Sequence, residues 1–171
     1  MEIRLLAPPD AKKYWDLRLE ALKINPEAFS TSYEESVQRK NPIEQVTNRL
    51  NEDGSFTFGA FQNNELIGVV TLVAEKTIKM KHRGNIYAMY ITPDYRNKGT
   101  GRAILNEAIN HAKTIPNIIK LNLTVVSTNK NAKKLYTSLG FKTFGFEEKA
   151  LKVKETYYDE ELMVLFLNKN L

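Results

Sequence analysis

The chain of 171 residues contains no cysteine. Disulfides, thiolate metal sites and a cysteine nucleophile are excluded. The absence suits a reducing compartment, and a cytoplasmic location is expected. No apolar run approaches the roughly 18 residues that a membrane span requires. Met1 to Asp10 carries charges and two prolines, unlike a signal peptide. Zinc-finger spacing is missing, and no metal site is expected. The net charge of +5 is moderate and dispersed. With no basic stripe interleaved with aromatics, nucleic acid is not an expected partner, while solubility or an anionic ligand remains open. Internal repeats, linkers and low-complexity stretches are also lacking, so residues 1–171 are expected to form a single domain.

What is present is ordinary globular composition, 42% hydrophobic and 26% charged. Met1 to Leu6 reads as a first strand. Asp10 stands where a helix N-cap belongs, before Tyr14, Trp15, Leu17, Leu19, Ala21 and Leu22 at helical intervals. Asn25-Pro26 ends that helix. Ala28 to Arg39 reads as a second short helix or helical loop, and Ile43, Val46 and Leu50 mark another helical face. Ser55–Phe61 and Glu65–Ala74 alternate around Asn63-Asn64, a hairpin signal. Asn85–Ile91 reads as a strand with Ile86, Ala88 and Tyr90 on one face and Tyr87, Met89 and Ile91 on the other. A helix follows from Gly101, with Ile104, Leu105, Ala108, Ile109 and Ala112 as its stripe. Ile118–Val125 is a buried strand, Asn129–Leu139 a short helix ended by Gly140, and Phe141–Phe146 and Glu161–Phe166 two last strands. This order implies an α/β sheet with helices on both faces.

The loop between Ile91 and the next helix holds Arg96, Asn97, Lys98, Gly99, Thr100, Gly101 and Arg102. A helix N-terminus presents unpaired N–H groups and the positive end of the helix dipole. Glycines there let an anion approach the backbone, and the cations add fixed charge, so the unit suits a pyrophosphate. Walker A is absent, and the dinucleotide fingerprint lacks its third glycine, because Ile104 occupies that place. Alone, the loop reads equally well as an ordinary turn. A second segment lies one strand further on: Asn129, Ala132, Leu135, Tyr136, Gly140 and Phe141, in the pattern N-x-x-A-x-x-L-Y-x-x-x-G-F.

With R-x-x-G-x-G before it, this pattern resembles the GCN5-related N-acetyltransferase superfamily across nearly the whole chain. The resemblance implies a mixed, mostly antiparallel central sheet with a splayed parallel strand pair, the GNAT fold. It implies acetyl-CoA as co-substrate, held between the strands at Asn85–Ile91 and Ile118–Val125. The pyrophosphate would lie on Arg96–Gly101 near Arg102, with Lys134 also on the coenzyme side. Backbone groups of Met89, Tyr90 and Ile91 would pair with the pantetheine arm, Asn129 would contact it, and Tyr136 would protonate the leaving thiolate. On spacing alone Tyr136 packs a helix on the sheet; the motif adds the acid role.

The family's usual glutamate is missing from Gly84-Asn85-Ile86-Tyr87. Glu75 is taken as the candidate base. His82 among Lys79, Lys81 and Arg83 reads more simply as an exposed loop residue, and the amine could also arrive neutral or lose its proton to water. Two segments would hold the acceptor. By the same resemblance, they contribute Phe29, Thr31, Tyr33, Glu34 and Glu35 from the first, and Tyr158 with Tyr157, Asp159, Glu160 and Glu161 from the second. Carboxylates beside aromatics suit a cationic amine. The expected activity is transfer of acetyl to a small-molecule amine or a peptide or protein amine. A homodimer, a longer acyl-CoA and a non-catalytic coenzyme A-binding module stay open.

Overall fold

The computed structural model describes residues 1–167; residues 168–171, the end of the expected domain, lie outside the described residues. Strand β1 (Glu2–Leu5) is followed by helices α1 (Ala11–Ile24), α2 (Tyr33–Val37) and α3 (Pro42–Leu50). Strands β2 (Ser55–Gln62), β3 (Glu65–Ala74) and β4 (Arg83–Ile91) come next, then α4 (Thr100–Thr114), β5 (Lys120–Val126), α5 (Lys130–Ser138), β6 (Lys142–Val153) and β7 (Thr156–Phe166). One sheet holds all seven strands in the order β1-β2-β3-β4-β5-β7-β6. Among the described residues, only β4 and β5 run parallel; the other pairs are antiparallel. The expected mixed, mostly antiparallel sheet is therefore present.

Helices cover both faces because each carries one apolar stripe. On α4, Ile104, Leu105, Ala108, Ile109 and Ala112 are all buried against Phe58, Val70, Leu72 and Leu121. Gly99 starts α4 in a left-handed conformation at φ +84°, and Ile115-Pro116 stops it. On the opposite face Tyr14, Trp15, Leu17 and Ala21 of α1 pack with Val46 of α3 and with Phe61, Leu66 and Val69. Each fully buried large side chain contributes about 1.5–3 kcal/mol. Asp10 does not cap α1 with its side chain. Its carboxylate instead accepts two hydrogen bonds from the Arg4 guanidinium, at 2.7 and 2.8 Å, and one from the Ala7 N–H at 2.9 Å. That fork holds the Asp10 carboxyl below its ordinary range and ties β1 to the start of α1.

The region expected to form a short helix or a helical loop over Ala28–Arg39 holds a 3-10 turn at Pro26–Ala28 and the short α2. Ser32 and Glu35 form a reciprocal capping box at α2. The last two strands reach further than their apolar runs suggest: β6 continues through Glu147, Glu148 and Lys149 to Val153. Its exposed charges hide it from a pattern of alternation. β7 then returns between β5 and β6.

Strand β4 departs from the expected alternation. Val69 pairs with Tyr90 and Thr71 with Tyr87, so three steps on β4 oppose two on β3. The extra residue forms a bulge at Ala88, whose φ is +53°. The bulge shifts the side-chain phase. Ile86 and Ile91 share the α4 core, whereas Tyr90 joins the α1 core. A positive φ strains any residue with a Cβ, and a β-branched one most. Ala88→Val should therefore lower unfolding free energy by about 1–3 kcal/mol, while Ala88→Gly should leave it near the parent's. Urea titration of the three proteins tests this. A valine variant as stable as the parent would mean that residue 88 has ordinary strand geometry.

Candidate active site

The parallel pair is the origin of the site. β4 and β5 pair only at Arg83–Lys120, Gly84–Leu121 and Asn85–Asn122. Beyond Asn85 the two strands separate, and a cleft of about 1500 Å³ opens between them. Pockets for small-molecule ligands usually span roughly 300–1,000 Å³, so this cleft is larger than most. Its walls include Tyr87 to Ile91 from β4 and Asn122 to Val126 from β5. Ala88 and Met89 have no register partner on β3, so the bulge leaves backbone groups free for a ligand in the cleft.

The start of α4 closes one end. The Ala103 N–H donates to the Gly99 carbonyl at 3.0 Å, which leaves the amides of Thr100, Gly101 and Arg102 at the open helix end. Gly99, Gly101 and Arg102 line the cleft, as do Arg96 and Asn97. The two glycines differ in purpose. A Cβ on Gly99 would meet nothing, yet its left-handed φ favours glycine. A Cβ on Gly101 would lie 3.2 Å from Leu135 and 3.4 Å from Met89, so this glycine lets α4 sit close to α5 and β4.

Arg96 is partly committed within the protein. Its Nε donates to the Ile91 carbonyl and its Nη2 to Asn25 Oδ1, both at 2.8 Å. Its guanidinium also lies 5.4 Å from the Tyr90 ring. Arg96 thus fastens the loop to the end of α1. Arg102 Nη2 donates to Ser138 Oγ at 2.7 Å. Lys98 stands 5.7 Å from the Tyr95 ring. Lys98, Thr100 and Lys134 are not among the side chains lining the cleft.

Tyr136 lines the cleft and is only 6% exposed. Burial pushes its hydroxyl up to about 12. The ring packs edge-on to Phe141 at 6.0 Å. Among the described residues its hydroxyl has no hydrogen-bond partner. Asn129 lines the cleft and caps α5 by accepting from the Ala132 N–H at 3.1 Å. Tyr90 donates to Glu20 at 2.9 Å, and burial with that bond raises its pKa.

The structure does not bring every expected residue to the cleft. Glu75 lies outside its lining, where it accepts from Asn85 Nδ2 at 2.9 Å and stands 3.7 Å from Arg83. Phe29 lines the cleft, under the Arg18 guanidinium at 4.4 Å. Tyr33, Glu34 and Tyr158 do not line it; Tyr33 instead packs against Lys23 at 4.7 Å. Glu160 does line it, and burial, then the neighbouring Glu147, raise its carboxyl above the ordinary range. Two further cleft residues were not singled out from the sequence. Among the described residues, the buried Oδ1 of Asn122 and the buried Nη1 of Arg18 have no partner.

The chain matches the family model for an acetyltransferase (GNAT) domain over residues 3–162. It is 29% identical over 160 residues to spermidine N(1)-acetyltransferase of Vibrio cholerae, spanning 91% of this chain and 90% of that protein. A GNAT-family acetyltransferase from Streptococcus pneumoniae superposes with a TM-score of 0.84 at 25% identity, covering 98% of this chain and 99% of that one. A putative acetyltransferase from Salmonella typhimurium, solved with its cofactor acetyl-CoA, superposes with a TM-score of 0.84 at 19% identity. It covers 100% of this chain and 96% of that one.

Proposed function

Because the chain belongs to the GNAT acetyltransferase family, we propose that it moves an acetyl group from acetyl-CoA to a primary amine, directly, within a ternary complex. The observation that carries this reading is the divergence of β4 from β5 beside the open N-terminus of α4. The cleft residues fit the coenzyme. Amides of Thr100, Gly101 and Arg102 offer donors to a diphosphate, with Asn97 and Arg102 adding polar and positive side chains in the lining. The orphaned Asn122 Oδ1 offers an acceptor to an amide N–H. The backbone at Ala88 and Met89, without a register partner on β3, offers the remaining groups along an extended arm.

Acetyl-CoA supplies an activated thioester. The amine nitrogen bonds to the acyl carbon, the carbon–sulfur bond breaks, the sulfur gains a proton and the nitrogen loses one. The protein's part is to hold the two reactants together and to place an N–H near Met89 where negative charge grows on the carbonyl oxygen. Tyr136 gives the proton to sulfur. Its raised pKa keeps the hydroxyl protonated at neutral pH. Glu160 receives the amine proton in place of Glu75, because Glu160 faces the cleft and Glu75 does not. A raised carboxyl pKa makes Glu160 a stronger base than a free carboxylate. The absence of cysteine agrees with direct transfer. The spermidine named for the Vibrio relative supports an amine as acceptor.

A screen of amines with acetyl-CoA, read as thiol release, tests the activity. Turnover of at least one amine is expected. Coenzyme binding with no turnover would favour a coenzyme-binding module, and faster turnover of longer acyl-CoA a different acyl donor. Tyr136→Phe should lower turnover by about 10²-fold or more with acetyl-CoA affinity little changed; unaltered turnover removes Tyr136 from the chemistry. For Glu160, the protonated acid cannot accept a proton, so kcat/KM should fall as pH drops through its raised pKa. Glu160→Gln should flatten that acid limb; a limb that persists would assign the base elsewhere.

A further inference from the structure

A second, smaller cavity of about 120 Å³ lies between α1, α2 and α3. Arg18, Arg39 and Arg49 all line it, together with Thr31, Ser36 and Gln45. No acidic side chain contributes to the lining. Tyr14, Arg18 and Arg49 also line the large cleft, so the two spaces share a wall. That wall adjoins Phe29, away from the amides of α4.

Three guanidinium groups around one small space repel one another. Arg18 bears the consequence. Burial lowers its pKa, and after the opposing influence of Tyr14 the charges of Arg49 and Arg39 lower it further. The Phe29 ring lies 4.4 Å from its guanidinium carbon, a contact with the ring face that uses none of the N–H donors. Its Nη1 is buried without a partner. A buried charged donor left unsatisfied costs free energy, and proteins rarely keep one without a use. The nearby acids are engaged elsewhere. Glu52 accepts from Lys76 at 3.1 Å, and Glu35 is held in the Ser32 capping box, although it also feels Arg39. Glu27 accepts from Asn25 at 3.4 Å. Asp53 lines the large cleft but not the small cavity.

We propose that this arginine-lined cavity binds an oxyanion, a carboxylate or phosphate-type group, carried by the acceptor amine. The inference rests on the acetyltransferase reading for the acceptor, but the cavity's chemistry does not. At ~30 Å³ per water, the space holds about four waters. It therefore takes one small acidic group and not a whole coenzyme. A planar guanidinium with free forked donors matches an oxyanion by two parallel hydrogen bonds, and the Thr31, Ser36 and Gln45 side chains can complete its shell. The acceptor would be an amino acid, an acidic peptide or a similar amino acid-like molecule. This differs from the cationic recognition that carboxylates beside aromatics suggest, and from the spermidine of the Vibrio relative.

The test has two arms. In the first, inorganic phosphate and glutarate are titrated into the full chain without coenzyme, followed by NMR of arginine Nε–Hε signals. Saturable binding should perturb Arg18, and Arg18→Met should weaken it at least tenfold; no binding, or binding unaffected by Arg18→Met, overturns the proposal. Arg49→Gln, at an exposed position, is the second variant if Arg18→Met unfolds, and should weaken binding severalfold. In the second arm, matched pairs such as phenylalanine and 2-phenylethylamine are compared as acceptors with acetyl-CoA. The acidic member should have at least tenfold higher kcat/KM, and Arg18→Met should remove that preference through KM. Phosphate should inhibit competitively with the acidic amine. Equal use of both members, or non-competitive inhibition, overturns the assignment to the acceptor. Failure of acetyl-CoA to bind would instead count against the transferase reading, while the first arm still decides the cavity.

Discussion

The parting of β4 from β5 is the constraint on which the site depends. The strands share three paired positions and then diverge. Divergence of parallel neighbours leaves backbone groups unpaired, and unpaired groups need partners. Here the bulge at Ala88 also takes Ala88 and Met89 out of register with β3. The middle of the sheet thus offers hydrogen-bonding capacity to a ligand. Two cores, one under α4 and one under α1, pack against the opposite faces of the sheet.

The cleft ends differ in electrostatic character. One end relies on main-chain amides of α4, reached through the left-handed turn at Asn97 and Gly99. The other borders a cavity of arginine side chains. Between them, Arg96 joins Ile91 to Asn25, and Tyr90 reaches Glu20. These bonds couple α1 to the strand that would carry the coenzyme, so the two reactant sites share one framework.

Much of the fold was legible because its helices carry periodic stripes and its first strands alternate. Gly99 to Gly101 and Asn129 to Phe141 stand out through their joint resemblance to the family's paired motifs; alone, the glycine loop reads equally well as an ordinary turn. The bulge was hidden, since Ala88 in a run of Tyr87, Met89 and Tyr90 gives no sign of a positive φ. Charges from Glu147 to Lys154 concealed an edge hairpin. Arg18 did carry a signal, as a cation on the helical stripe of Tyr14, Trp15, Ala21 and Leu22, whereas Asn122 shares its strand face with Lys120 and Thr124 and gave none. Glu75 stands in for the family's usual glutamate at the end of the preceding strand, and Tyr158 is an aromatic among carboxylates in the late-strand segment; neither placement says which face of a strand meets the cleft.

The central claim is that the open end of α4 and the bulged strand grip one ligand together. Amide NMR on the full chain titrated with acetyl-CoA tests it most directly. The account predicts saturable shifts concentrated at residues 99–102 and 88–91, with residues of β1 and β2 little affected. Shifts confined to other surfaces, or none at saturating ligand, would contradict it.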